Sequence, residues 1–524
     1  MQRWQIASSA TCLVLALLAG GWRAWQARRE PDRGRPGRLE LAGLGALFLG
    51  AWLLRALLSP HTLLHENAHG YELLQGAFSL EGYFWHGAGY YTFFHGLTWL
   101  LGDSPAVVFH GNAVLGGCAA VLVWAVGRRL FGPGAAAWLA ALAWAAWPAA
   151  LREGGSESML PLGVCAGLLG LWAWLDGFQA GGRPSSLLLA AAALAFTAQV
   201  RPELALWLAL PPLGLAACPG WRVALRRPAL WAALVALGLL LAPGLVFRLQ
   251  DLSSSGLPGY LELGPGRFLA ALVSPEHLLL RPGWTPAAVW VLLPLGLWAG
   301  LRRAPRALPL LVGGTLALAW IGLAARGGLA TQVRLQQPVL PLLALLVGLG
   351  GAWLAGQAPA RGRAAAAFAL GLALLATGLA RAPRIRALAT AQHEFAFQEL
   401  VLPALPPGCG LVMPDRFMAD RVISTELATW RLRGRPLAEL TPFLADPRAA
   451  AGAPCWVLYR GLTCHLFTHA ESPPADGLRP ECRAPEARFR LRPIFEQTLP
   501  AVPYDYLRLP APEVRLGLYR LVPR

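Results

Sequence analysis

Long apolar runs separated by short, arginine-bearing breaks dominate the first 380 or so residues of this chain. A helix needs about 20 apolar residues to cross a hydrocarbon core. Runs of suitable length begin near Gln5, Leu39, Pro105, Ala135, Met159, Ser185, Glu203, Ala229, Thr285, Ala307, Pro338 and Ala364, so the pattern predicts twelve membrane helices, with a short pair around Ala190 and Leu210. The first run also has the outline of a signal peptide, since Arg3 precedes an apolar stretch closing on Ala19-Gly20-Gly21. A retained helix is the better reading, because the segment behind it is strongly basic and reads as a cytoplasmic loop.

Beyond Arg381 prolines, charges and short apolar runs replace the continuous hydrophobicity. Residues 390–404 read as an amphipathic helix ending at Pro406-Pro407-Gly408, Gly410–Met413 as a buried strand, Asp420–Arg433 as a helix and Cys455–Tyr459 as another strand. Alternating α and β elements predict a small α/β domain. The expected fold class is mostly α: a polytopic membrane bundle of about twelve helices with a small C-terminal α/β domain. Its divisions are a helix and basic loop (1–38), a membrane domain with a large external loop 59–104 (39–380), and an extracytoplasmic domain (381–524).

Composition agrees with a membrane protein. The chain is 56% hydrophobic and 14% charged, against about 25% charged in soluble domains. All 45 basic residues are arginine, and the formal net charge is +17. Those arginines lie between apolar runs and not on one face, which argues against nucleic acid as a partner. Arg23, Arg28, Arg29, Arg33, Arg35 and Arg38 crowd the first loop; Arg128, Arg129, Arg183, Arg222, Arg226, Arg227, Arg302, Arg303, Arg306, Arg361 and Arg363 mark alternate loops thereafter. By the positive-inside rule that side is cytoplasmic. Loop 59–104, residues 249–284 and everything after Arg381 then lie outside an inner (cell) membrane. Cys409, Cys455, Cys464 and Cys482 all fall in the outer domain, where an oxidising compartment allows two disulfides in three possible connectivities.

Acids are scarce in the membrane part, so those near its outer face are candidates for chemistry. Six of the ten histidines fall between His61 and His110, interleaved with aromatics such as Tyr71, Trp85 and Tyr90. An aromatic belt explains the Trp and Tyr residues but not histidines clustered beside a carboxylate. His65-Glu66-Asn67-Ala68-His69 matches the H-E-x-x-H pattern, in which two histidines one helical turn apart hold zinc and the glutamate activates water. A zinc peptidase also needs a third ligand, and neither Glu72 nor Glu81 is a persuasive one. Further outer-side features are Ser156-Glu157-Ser158, preceded by Arg152 and Glu153; Gln199-Val200-Arg201-Pro202-Glu203; and Arg326 and Arg334, ahead of Gln336-Gln337-Pro338. Arg201 with Glu203 suits a simple helix-end pair. Together these acids and arginines suit a carboxylate base acting on a substrate whose phosphate is held by arginine.

An ordered set of segments resembles a known family. Gly89-Tyr90-Tyr91 through Gly102-Asp103-Ser104, Asn112 to Gly117, Gly127 to Gly132, the helix ending at Pro148, Ser156-Glu157-Ser158, Arg201-Pro202-Glu203 and Arg334 to Pro341 are similar in order and spacing to polyprenol-phosphate-sugar glycosyltransferases of the C-type fold (GT-C). Protein O-mannosyltransferases and the lipid A aminoarabinose transferase are examples. The resemblance spans roughly residues 40–355. It implies that Glu66 is the catalytic base, with His65 replacing the family's usual aspartate and Tyr71 following, and that Glu157 is the second acidic position, with Glu153 as its substitute. The helix before Leu39 is an addition to the commonest family topology.

The function implied is transfer of a sugar, with inversion, from a polyprenyl-phosphate donor to an acceptor hydroxyl on a glycan, lipid or protein at the outer membrane face. Glu66 would take the acceptor proton, and Arg201 or Arg334 would hold the lipid phosphate. No cofactor is certain; a divalent metal ion bound by His65, His69 or Glu157 could assist. The competing classes are a multi-pass transporter or lipid flippase, for which no paired broken helices or internal repeat is visible, and the zinc metallopeptidase.

Overall fold

The computed structural model describes residues 2–29, 37–59, 68–80, 87–102, 104–179, 183–218, 221–255, 266, 268–269, 283–324, 337–389, 403–414, 435–446, 452–468, 471–501, 507–508 and 510–524. The chain divides into two units, Met1–Pro60 with Gly82–Ile385, and His61–Glu81 with Arg386–Arg524. Helices α1 (Gln2–Arg29) and α2 (Arg38–Leu58) open the first unit, while α3 (Ala68–Ser79) belongs to the second. The first unit continues with α4 (Ala88–Leu101), α5 (Pro105–Phe131), α6 (Ala135–Ala145), α7 (Pro148–Gly154), α8 (Leu160–Gln179) and α9 (Pro184–Val200). A 3-10 stretch Pro202–Ala209 runs into α10 (Leu210–Gly214), followed by α11 (Trp221–Ala224) and α12 (Pro228–Ser255). The last helices of this unit are α13 (Ala287–Arg303), α14 (Gly314–Ala324), α15 (Leu340–Gly356) and α16 (Arg363–Leu379), and the boundary at Ile385 falls within α17 (Ala382–Ala389).

An apolar helix stands at each of the twelve predicted starts. Among the described residues seven helices are long and apolar enough to cross a membrane, and three shorter apolar helices accompany them. The chain is a multi-pass membrane protein. Local chemistry sets the helix ends. Ser104 caps α5 by accepting from the Ala106 amide at 3.3 Å, Pro105 occupies its first turn, and Gly132 stops it at φ +79° with Arg128 and Arg129 in the last turn.

Helices α8, α9 and α15 are buried almost throughout, and small residues let their neighbours approach. A Cβ on Gly296 of α13 would lie 2.0 Å from the Leu346 carbonyl oxygen, and one on Gly350 of α15 would lie 2.1 Å from that of Leu292. Such backbone contact is how helices associate where lipid is as apolar as leucine.

The additional helix α1 is tied to the bundle at both ends. Near its start, Ser9 donates to the Gln199 side-chain oxygen at 2.6 Å, and Ser8 and the Gln199 amide both donate to the Leu240 carbonyl, at 2.9 and 2.8 Å. At the arginine-rich end Asp176 of α8 is fully buried; Arg23 of α1 contacts it at 2.9 Å, Arg183 at 3.5 Å and Arg129 also pairs with it, while Ser186 donates at 2.6 Å.

The second unit carries a five-stranded sheet. Strands β1 (Gly410–Met413), β2 (Leu437–Glu439) and β3 (Trp456–Arg460) are parallel; β5 (Phe489–Pro500) and β7 (Glu513–Pro523) are antiparallel to their neighbours, in the order β2-β1-β3-β7-β5. Short strands β4 (Phe467–Thr468) and β6 (Leu507–Arg508) pair separately. Alternation buries both faces: Leu411, Val457, Leu516 and Leu518 on one, Val412, Leu458, Tyr519 and Leu521 on the other. The expected strands at Gly410–Met413 and Cys455–Tyr459 are present within a residue, whereas the expected helices at 390–404 and Asp420–Arg433 lie almost wholly outside the described residues. The four cysteines pair as Cys409–Cys455 and Cys464–Cys482, and Cys12, Cys118, Cys165 and Cys218 are free thiols.

Asp176→Asn leaves three arginines around a neutral amide, and breaking a buried pair costs about 3–5 kcal/mol. Thermal unfolding of the detergent-solubilised protein should drop accordingly, with partial recovery on adding Arg129→Leu; an unchanged midpoint contradicts the anchor. In the second unit His465 is buried, its ring nitrogens each 3.1 Å from a carbonyl oxygen, of Gly477 and Arg515. Burial, reinforced by the Arg460 charge, pulls its pKa below the ordinary histidine value despite those carbonyls. The unfolded chain therefore takes up the proton first, so the stabilisation is complete above the unfolded value and is lost as pH falls below about 6.5. Amide-exchange protection of β3 and β7, corrected for intrinsic rates, should weaken between pH 7 and 5.5, and His465→Gln should flatten that dependence.

Candidate functional site

The connection between α6 and α8 is the most unusual part of the helical unit. Trp147-Pro148 ends one helix and starts the short α7; the chain then leaves helical geometry at Gly155 and regains it only at Leu160. Every residue from Pro148 to Leu160 is buried, including Arg152, Glu153, Ser156, Glu157 and Ser158. A buried non-helical segment must find partners for its carbonyls. Side chains from three other elements supply them.

Asn112 of α5 donates through one amide nitrogen to the carbonyls of Ser156 and Ser158, at 2.7 and 2.8 Å. The Tyr90 hydroxyl of α4 donates to the Glu157 carbonyl at 2.7 Å, and Ser59, just after α2, donates to that of Leu151 at 2.7 Å. Within the turn Ser156 donates to the Glu153 carbonyl at 2.7 Å, and the Ser158 hydroxyl accepts from the Leu160 amide at 3.3 Å, capping α8. Gly155 permits the close approach: a Cβ there would lie 1.7 Å from the Ser59 carbonyl oxygen. Gly154 and Gly116 similarly make room for Arg55, a fully buried guanidinium that donates to the Ala51 carbonyl at 2.9 Å.

Around this turn the charged groups gather. Glu157 is fully buried, Glu153 nearly so, and Arg201 follows directly on α9. Arg201 donates to both Glu203 carboxylate oxygens, at 3.2 and 2.9 Å, with Glu153 and Tyr91 close enough to interact electrostatically. The helix-end pair is thus real, but it is embedded in a larger set. Arg152 stands over the ring of buried Trp284 at 5.1 Å, and Arg384 of α17 stands over the same ring at 4.9 Å. Two guanidinium groups on one indole, beside two buried glutamates, make an unusual concentration of charge for a membrane helix bundle. Next to Arg201, between α1, α9 and α12, lies an apolar cavity of about 300 Å³ lined by Ser8, Gln199, Pro202, Leu241 and Leu245.

Of the residues singled out in the sequence, Arg152, Glu153, Glu157, Arg201 and Glu203 enter this cluster. Glu66, His65 and Arg334 lie outside the described residues; His69 and Tyr71 fall on α3, with side chains outside them as well. Among the described residues no three His, Cys, Asp or Glu side chains stand together as metal ligands. Asn112, Trp284 and Arg384 carry roles that sequence reasoning did not assign. An asparagine amid apolar residues at mid-helix is the one signal that pointed to Asn112.

No family model matches the chain, and no curated protein matches it in sequence. Solved structures do. ArnT from Cupriavidus metallidurans bound to undecaprenyl phosphate superposes with a TM-score of 0.56 at 14% identity, covering 92% of this chain and 97% of that one. ArnT from Cupriavidus metallidurans in the apo state gives a TM-score of 0.56 at 15% identity over the same shares. The chain has the GT-C fold.

Asn112→Leu tests what holds the turn. It removes one donor and leaves two buried carbonyls bare, at about 1–3 kcal/mol each. Amide exchange at residues 155–160 should accelerate at least tenfold in the detergent-solubilised protein, while β3 and β7 exchange unchanged. Unaltered exchange at 155–160 would show that the turn does not rest on Asn112.

Proposed function

We propose that this protein is a membrane glycosyltransferase that moves a sugar from a polyprenyl-phosphate donor to an acceptor hydroxyl. The observation that carries the reading is the buried gathering of Glu153, Glu157 and Arg201 at one end of a bundle with the GT-C fold. Buried charges there are costly unless a wet, functional site uses them. The apolar cavity between Gln199 and Pro202, immediately beside Arg201, suits the chain of a lipid donor. In this reading the arginine-rich end faces the cytoplasm, and the site and the disulfide-bonded C-terminal domain face the opposite side of an inner membrane.

In the reaction the acceptor hydroxyl attacks the anomeric carbon as its proton passes to a carboxylate. The bond between that carbon and the phosphate oxygen breaks, and the lipid phosphate leaves with one more negative charge. Glu66 is the proposed base, with Tyr71 and Glu157 positioning substrate, and Arg201 or Arg334 stabilising the leaving phosphate. Arg152 and Arg384 add positive charge near the same turn. A single displacement inverts the anomeric centre. The acceptor is a glycan, lipid or protein hydroxyl. A divalent ion at His65 and His69 would serve to orient the loop that carries Glu66.

Glu66→Gln keeps the side-chain shape and removes the base. Transfer by purified, reconstituted protein should fall by at least about 10²-fold with solubility and melting unchanged; near wild-type turnover would remove Glu66 from the mechanism. Metal analysis accompanies that assay. One stoichiometric zinc, with hydrolysis of membrane peptides lost on chelation, would replace the transferase by a peptidase.

A further inference from the structure

At the arginine-rich end the turn between α5 and α6 faces the turn between α13 and α14 across a cavity of about 550 Å³, within the range typical of small-molecule sites. Gly132 and Gly134 form one wall, both with positive φ, +79° and +156°, so that wall is bare backbone. Leu130, Phe131 and Leu349 give the cavity an apolar lining. Arg303 and Arg306 line it too, and no acidic residue does.

These two arginines differ from others at this end. Arg23, Arg129 and Arg183 share Asp176, Arg128 pairs with Glu40, and Arg302 lies over Trp298. Arg303 and Arg306 are exposed and, among the described residues, have neither an ion pair nor a ring partner. Arg226 and Arg227 are exposed as well, but they line none of the described cavities. Two guanidinium groups at one cavity repel each other unless an anion lies between them. Apolar side chains and two arginines lining one cavity, at the end of helices that cross a membrane, fit a ligand with a phosphate and hydrocarbon chains.

We infer that this cavity binds the head group of an anionic phospholipid, with Arg303 and Arg306 contacting the phosphate and the first methylenes lying against Phe131 and Leu349. The inference is independent of the proposed transferase activity, since the cavity lies at the opposite end of the helices from Glu157 and Arg201. Inner-leaflet anionic lipids are drawn to basic pockets between helices. A soluble phosphate ester offers the same head-group chemistry, so the experiment includes one.

The test is native mass spectrometry of the full-length protein in detergent, titrated with phosphatidylglycerol, phosphatidylcholine or glycerol phosphate. Wild-type protein should retain phosphatidylglycerol preferentially. Arg303→Gln with Arg306→Gln should weaken that retention about thirtyfold and leave phosphatidylcholine unaffected, while Arg226→Gln with Arg227→Gln should retain it as wild type does. Equal retention by the first pair overturns the assignment. So does an equal loss in the second pair, which would mean diffuse charge, or competition by glycerol phosphate as effective as the lipid. Should the first pair fail to fold, a photoreactive phosphatidylglycerol on wild-type protein decides the matter: labelling of 130–136 or 303–307 is expected, and labelling confined elsewhere overturns it.

Discussion

A stretch of backbone that leaves the helix inside an apolar bundle has no water to bond, and the Gly155–Met159 turn exists because side chains take that place. Asn112 is the principal one, satisfying two carbonyls with a single amide nitrogen. Tyr90 and Ser59 complete the arrangement. The consequence reaches beyond the turn. Satisfying it draws α2, α4 and α5 onto α7 and the turn that follows it, and Glu153 and Glu157 are buried there, Glu153 close enough to Arg201 to interact electrostatically. Asn112, Tyr90 and Ser59 thus satisfy the backbone that carries these two glutamates.

The far end of the bundle uses a different device. Asp176 gathers arginines from three separated segments and so fixes α1, α5 and the start of α9 together. With the Gln199 network at the other end, the additional helix is pinned at both extremities and becomes a wall of the apolar cavity beside Arg201. Between those ends Cys12 and Ala19 are buried against the bundle, while exposed Leu17 and Leu18 are suited to lipid. Stability at one end and site geometry at the other thus share α8 and α9.

Much of this was legible in the sequence because hydrophobicity is a one-dimensional signal. The twelve apolar runs, the change of character after Arg381, and the strands at Gly410 and Trp456 are patterns that need no partner to be read. What escaped depends on partners. Asp176 is a single acid near the end of an apolar run, and nothing local says that Arg23, 153 residues earlier, will reach it. The β5–β7 pairing is hard to read from sequence because Pro493 and flanking arginines disguise a strand; β5 is an edge strand, where proline is tolerated, and the register slips between Pro493 and Phe495. Cysteine counting gave two disulfides, but choosing Cys409–Cys455 and Cys464–Cys482 required the sheet that sets β1 beside β3. From sequence Arg201 suits both a helix-end partner of Glu203 and a phosphate ligand. The pairing is present, and the ligand role belongs to the proposed mechanism. Glu66 stands out in the sequence through the H-E-x-x-H pattern, but its role as a transferase base rests on resemblance, since a histidine-rich loop does not by itself distinguish a base from a metal ligand.

The most direct test of the central claim is a structure of the full-length protein with a polyprenyl phosphate bound. The lipid phosphate is predicted within charge-assisted hydrogen-bond reach, about 2.7–2.9 Å, of Arg201 or Arg334, with its chain entering the apolar cavity beside Gln199 and Pro202. A phosphate bound away from the 153–158 turn and Arg201, or a continuous polar path crossing the bilayer in place of a closed site, would contradict it.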